Sequence, residues 1–98
     1  KRQNVLSWLT VEALTDELKN QFKLPGQTAG VGVKEVRPGS AAADAGLQQG
    51  DVIQEVNRSV INNLSDYQNI ASQIEKKSLV VLLLSRRGNN LFVAVNPK

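Results

Sequence analysis

From Arg37 to Asn57 the chain reads RPGSAAADAGLQQGDVIQEVN, and each punctuating residue is of the type its position requires. Pro38 presets the φ of the first central residue of a type II turn, and Gly39 supplies the positive φ of the second. Ser40 follows as an N-cap: its hydroxyl accepts an otherwise orphaned N–H, and Ala41 to Ala45 is a short run rich in good helix formers. Gly46 takes the left-handed stop position, with Leu47 beyond it free to fold back onto the helix. Gly50-Asp51 makes the next turn, where the carboxylate can bond nearby amides. Val52 to Val56 then reads as a strand.

The string PGSAAADAGLQQGDVIQEVN resembles the most recognisable segment of bacterial PDZ domains, P-G-S-x-A-x-x-A-G-L-x-x-G-D-x-I-x-x-x-N. In that family the segment is a scaffold beneath a binding groove. Its presence therefore argues for a fold and says little about a ligand.

The 98 residues have material for one core and one domain, with Lys1 to Asn4 as a linker remnant and residues 5–98 as the domain. The absence of methionine is expected of a processed or excised piece of a longer protein. Histidine and cysteine are absent as well, which removes the common ligands of zinc, haem and iron–sulfur clusters, the cysteine nucleophile and any Ser-His-Asp arrangement. No cofactor, metal site or catalytic residue is expected. The carboxylates Glu12, Asp16, Glu17, Asp44 and Asp51 fall on separate elements with no base beside them, and Gly30-Val31-Gly32 lacks the lysine and helix of a phosphate loop. No segment approaches the about 20 apolar residues of a membrane span, and no signal peptide is present. The net charge of +3 is scattered over Lys1-Arg2, Lys76-Lys77 and Arg86-Arg87, with four aromatic residues in all, so a nucleic-acid surface is not expected.

In order, Val5 to Ala13 alternates from an apolar start and reads as a strand with one buried face. Leu14 to Leu24 fits a helix capped by Thr15, with Leu18 and Phe22 as its apolar stripe and Pro25-Gly26 as its end. Ala29 to Val36 is a second strand, whose glycines suggest a close backbone approach. After the strand Val52 to Val56, Asn57-Arg58-Ser59 is a tight turn into Val60-Ile61. Leu64 to Lys77 is the main helix: Leu64, Tyr67, Ile70 or Ala71, and Ile74 form the buried row, and the lysines complement the dipole. Leu79 to Leu84 reads as a strand buried on both faces, Ser85 to Asn90 as a hairpin loop, and Leu91 to Val95 as the returning strand, with Pro97 closing the domain. The expected fold class is α+β: a small, strongly twisted antiparallel sandwich or partial barrel capped by two helices.

The opening Leu6 to Leu18 resembles the first strand and helix of PDZ domains from bacterial HtrA or Do-type (DegP/DegQ-like) serine endoproteases, whose strand order is circularly permuted. The likeness is greatest to the C-terminal second PDZ domain. Such domains bind an extended peptide as an added strand between a sheet edge and a helix, and backbone amides receive the C-terminal carboxylate. The resemblance places Leu6, Ser7, Trp8 and Leu9 on the carboxylate-binding loop and Thr10, Val11, Glu12 and Ala13 on the edge strand. It puts Gln68 and Ala71 on the facing helix. Trp8 stands where the family usually has glycine, and either packs in the core or contributes to the binding surface.

The resemblance implies a noncatalytic module of a periplasmic protease of protein quality control and stress response, whose triad lies outside these residues. Its partners would be C-termini or unfolded segments of proteins, or another PDZ domain in an oligomer assembly. The alternative is a PDZ domain of an intramembrane or C-terminal-processing protease, or of a secretion-system component.

Overall fold

A computed structural model describes residues 5–21, 23–24, 28–74 and 78–96. The expectations for Lys1 to Asn4, Phe22, Pro25-Gly26, Lys76-Lys77 and Pro97 lie outside the described residues, as does the side chain of Ser7.

Six strands and three α-helices follow in the order β1 (Leu9–Ala13), α1 (Asp16–Gln21), β2 (Val31–Val36), α2 (Ala41–Asp44), β3 (Val52–Val56), β4 (Ser59–Val60), α3 (Leu64–Gln73), β5 (Val80–Arg86) and β6 (Asn89–Val95). The strands form one antiparallel sheet ordered β1-β2-β3-β5-β6, with β4 paired to β3. The sheet is open, with β1 at one edge and β6 at the other.

The first departure from expectation is at the start. Val5–Trp8 is a 3-10 turn, and only Leu9–Ala13 is strand. Leu6 and Leu9 are both buried, a spacing of three that a 3-10 turn places on one side and that a strand would split across its faces.

The segment after Arg37 folds as its residues dictate. The Ser40 N–H bonds the Arg37 carbonyl at 3.3 Å across Pro38-Gly39, with Gly39 at φ 75°. The Ser40 hydroxyl accepts the Ala43 N–H at 3.2 Å. Beyond α2, Leu47 N–H reaches the Ala42 carbonyl and Gly46 N–H the Ala43 carbonyl, at 3.2 and 3.0 Å, the paired bonds of a Schellman stop.

Helix α1 is capped by Thr15, whose hydroxyl accepts the Leu18 N–H at 3.1 Å. It does not run to Leu24. Lys23 enters the left-handed region at φ 59°, and Leu24 N–H returns to the Lys19 carbonyl at 2.7 Å, so the stop is built on a lysine before Pro25 is reached. Helix α3 is likewise shorter than expected. Asn63 caps it by accepting the Asp66 N–H at 2.9 Å, the Asp66 carboxylate takes the Asn62 N–H at 3.0 Å, and Ile74 is already extended at ψ 131°.

The core gathers Val31 and Val33 of β2, Val52, Ile53 and Val56 of β3, Val80, Leu82 and Leu84 of β5, and Val95, with Ile61, Tyr67 and Ile74 closing it. Each such aliphatic side chain contributes roughly 1.5–3 kcal/mol when fully buried. Strand β5 is fully buried on one face only: Val80, Leu82 and Leu84 are in the core, whereas Val81 and Leu83 are half-exposed and Leu79, just before the strand, is 53% exposed. The hairpin after β5 is tighter than a six-residue loop. Arg86 pairs with Asn89 inside the ladder, and only Arg87-Gly88 turns, at φ 54° and 85°.

Candidate functional site

Strand β1 pairs with β2 along one side, and among the described residues no strand pairs with its other side. Helix α3 packs against β1. The result is an unoccupied strand edge running beside a helix, the arrangement in which an extended chain can add main-chain hydrogen bonds and insert alternate side chains.

The pairing of β1 and β2 is irregular. Thr10 opposes Glu35 and Val11 opposes Val33, so Lys34 is an extra residue and the ladder bends there. Leu9 is buried in the core and Val11 is half-buried against it. Thr10 and Ala13 are exposed, and Glu12 is half-buried, with its side chain beside the position a Cβ on Gly32 would take.

On α3, Gln68 is exposed and Ala71 is half-buried against the core. Leu64, assigned above to the buried row, is itself only half-buried. It lies four residues before Gln68 and seven before Ala71, which is one row of a helix. The i, i+4, i+7 spacing was the signal that could have placed it with them.

At the entry to β1, Leu6 is a core residue. Trp8 is half-buried and packs against the core. Its carbonyl accepts the Arg37 N–H at 2.8 Å, tying the entry turn to the Pro38-Gly39 turn. Trp8 also lines a hollow of about 360 Å³ with Arg37, Pro38, Gly39, Ser40 and Ala41. Of the two roles left open for Trp8, the packing role is present. Thus Leu9, Val11 and Ala71 share the core side of the β1–α3 pair, Thr10, Ala13 and Gln68 reach solvent, and Leu6 is withdrawn from it.

The electrostatics of the domain concentrate elsewhere. Asp51 is 1% exposed and receives Arg86 Nε and Nη2 at 2.7 and 2.8 Å, one on each oxygen, as well as the Gln48 N–H at 3.0 Å. The same guanidinium donates to the Gly46 carbonyl at 2.9 Å. Asp51 therefore is the turn residue its position suggested, and Arg86, counted above among the scattered basic pairs, is its partner. Among the described residues no group of His, Cys, Asp or Glu could hold a metal ion, and no helix is long and apolar enough to cross a membrane.

A sequence profile of the PDZ domain matches residues 11–85. The chain belongs to the PDZ domain family. It is 38% identical over 85 residues to a probable periplasmic serine endoprotease, DegP-like, of Pseudomonas fluorescens, covering 87% of this chain and 17% of that protein. Among solved structures, the HtrA-type protease AlgW with a decapeptide superposes with a TM-score of 0.81 at 27% identity, over 91% of this chain and 27% of that one. The HtrA3 PDZ domain bound to a phage-derived ligand, FGRWV, superposes with a TM-score of 0.76 at 26% identity, over 100% of this chain and 86% of that one. The α+β architecture of the PDZ neighbours is thus the architecture found here. The chain spans 16–19% of the length of the curated relatives it matches. As a PDZ domain it is a binding domain of the HtrA type, and with no histidine it contains no Ser-His-Asp triad.

Proposed function

We propose that this PDZ domain binds extended polypeptide segments by strand addition along β1, with Leu9, Val11, Leu64, Gln68 and Ala71 lining the groove against α3. The observation that carries this reading is the unpaired edge of β1 lying beside α3. Two solved neighbours of the HtrA type carry a decapeptide or a pentapeptide, in keeping with it. In this reading the domain is the recognition module of a periplasmic serine endoprotease of protein quality control. Its partners are C-termini or unfolded segments of other proteins, and the catalytic residues belong to the rest of the parent protein.

A second reading is assembly with another PDZ domain of the same protease. It is supported by the outer sheet face, where Phe92 is 70% exposed beside Val81 and Leu83, and Val60 on β4 is 59% exposed. Titration of labelled decapeptides by fluorescence anisotropy separates the two. Strand addition predicts saturable binding that Ala71→Arg abolishes, since the arginine fills the groove. Binding unchanged by Ala71→Arg, or absent altogether, would count against it.

A further inference from the structure

We propose that the β1–α3 groove takes internal extended segments and does not depend on a free C-terminal carboxylate in its ligand. This rests on the strand-addition reading and narrows its substrate class.

A carboxylate can be held at the head of an added strand only by donors with no other partner, either clustered backbone N–H groups or a cation. The head of this groove is the 3-10 turn Val5–Trp8. In a 3-10 turn each N–H bonds the carbonyl three residues back, so the Trp8 N–H is directed at the Val5 carbonyl. The Trp8 carbonyl is bound by the Arg37 N–H at 2.8 Å. Both main-chain polar groups of Trp8 are therefore committed inside the domain.

The backbone angles give the same answer independently. An anion-holding nest needs successive N–H groups turned to one side by alternation of right- and left-handed residues. Among the described residues the left-handed positions are Lys23, Asn57, Arg58, Arg87 and five glycines beginning at Gly30, and none falls within Val5–Trp8. A tryptophan in place of glycine disfavours that conformation by the Cβ clash with the carbonyl. No cation compensates among the groove-lining side chains, which are Leu9, Val11, Leu64, Gln68 and Ala71. Arg37 borders Trp8 on the side of the hollow over the first turn of α2.

The edge of β1 itself has no such restriction. The main-chain groups of β1 that face away from β2 are available to any extended segment, wherever it lies in its own chain.

The test uses the 98-residue chain and a pool of random decapeptides made twice, once with free C-terminal carboxylates and once amidated, with the tightest binders of each pool titrated by anisotropy in both forms. The expected result is a Kd ratio between amidated and free forms within twofold, with the same decapeptides retaining their affinity when embedded in a 20-residue peptide. Tenfold or greater weakening on amidation would overturn the inference while leaving strand addition standing. If no member of either pool binds, or if Ala71→Arg leaves binding intact, strand addition fails and the inference with it.

Discussion

The Arg86 guanidinium grips the Asp51 carboxylate with one N–H on each oxygen, at 2.7 and 2.8 Å, and links the end of β5 to the turn before β3, 35 residues apart in sequence. Asp51 is buried, while the Arg86 side chain keeps 31% of its surface. Bidentate pairing of this kind is directional as well as strong. Removing either member leaves buried polar groups without partners: Asp51→Ala orphans the Gln48 N–H as well as the guanidinium. We predict that Asp51→Ala and Arg86→Met each cost about 2–4 kcal/mol, less than a fully enclosed pair would because Arg86 is part-solvated. The double variant should cost less than the sum, and urea denaturation of all four proteins measures the coupling.

Gly30 sits at φ 131°, where a Cβ would collide with the backbone carbonyl of Ile53. Backbone cannot yield as a side-chain tip can. Gly30→Ala is expected to destabilise the domain by about 3 kcal/mol or more, through strain and clash together. Gly39 makes the contrast, since its left-handed backbone faces open space. Gly39→Ala should cost only about 1–2 kcal/mol, the conformational penalty alone. Thermal denaturation of the two variants distinguishes these cases.

Among the described residues the buried hydroxyl of Tyr67 has no hydrogen-bond partner, and burial pushes its pKa far above the ordinary tyrosine range. The folded state thus holds a proton that the unfolded chain releases near its ordinary pKa of about 10, so this contribution is complete below that pH and lost above it. Stability should fall above pH about 10 by roughly 1.4 kcal/mol per pH unit from this group. Tyr67→Phe removes both the orphaned hydroxyl and the titration. Its denaturation midpoint at pH 7 should equal or exceed that of the parent, and its decline from pH 10 to 11 should be shallower by that amount.

Asn57 and Arg58 both have positive φ, 51° and 71°, in the two-residue turn between β3 and β4. Asn57 suits that geometry and also accepts the Val81 N–H with its side chain at 2.8 Å. Arginine does not suit it, whereas glycine at the second position is the preferred partner of asparagine there. Arg58→Gly should stabilise the domain by about 0.5–1 kcal/mol, measurable as a raised denaturation midpoint with an unchanged m-value.

The order of all nine strands and α-helices was legible because turn and cap chemistry is local. Ser40, Gly46 and Asn57 each act on atoms within a few residues, so their roles can be read without knowing what packs on them. The misreadings fall where long-range contacts decide. Val5 to Trp8 has the apolar content of a strand, but the burial of Leu6 and the bond from Arg37 make it a turn. Lys23 carries no sign that it will take a left-handed stop. Arg86 read as one of several scattered charges because its partner Asp51 is 35 residues away in sequence. For the proposed groove, β1, Gln68 and Ala71 were named from the sequence, while Leu64 was assigned to the core row alone, because one residue can belong to a core row and a groove row at once.

The central claim is that a ligand adds to the edge of β1 against α3. Amide-resolved NMR during titration with a binding decapeptide tests it most directly. The account predicts shifts concentrated in Leu9–Ala13 and Leu64–Gln73, with slowed hydrogen exchange in β1 as its free edge becomes paired. Shifts confined to β6 and the outer face around Phe92, with β1 unchanged, would contradict it.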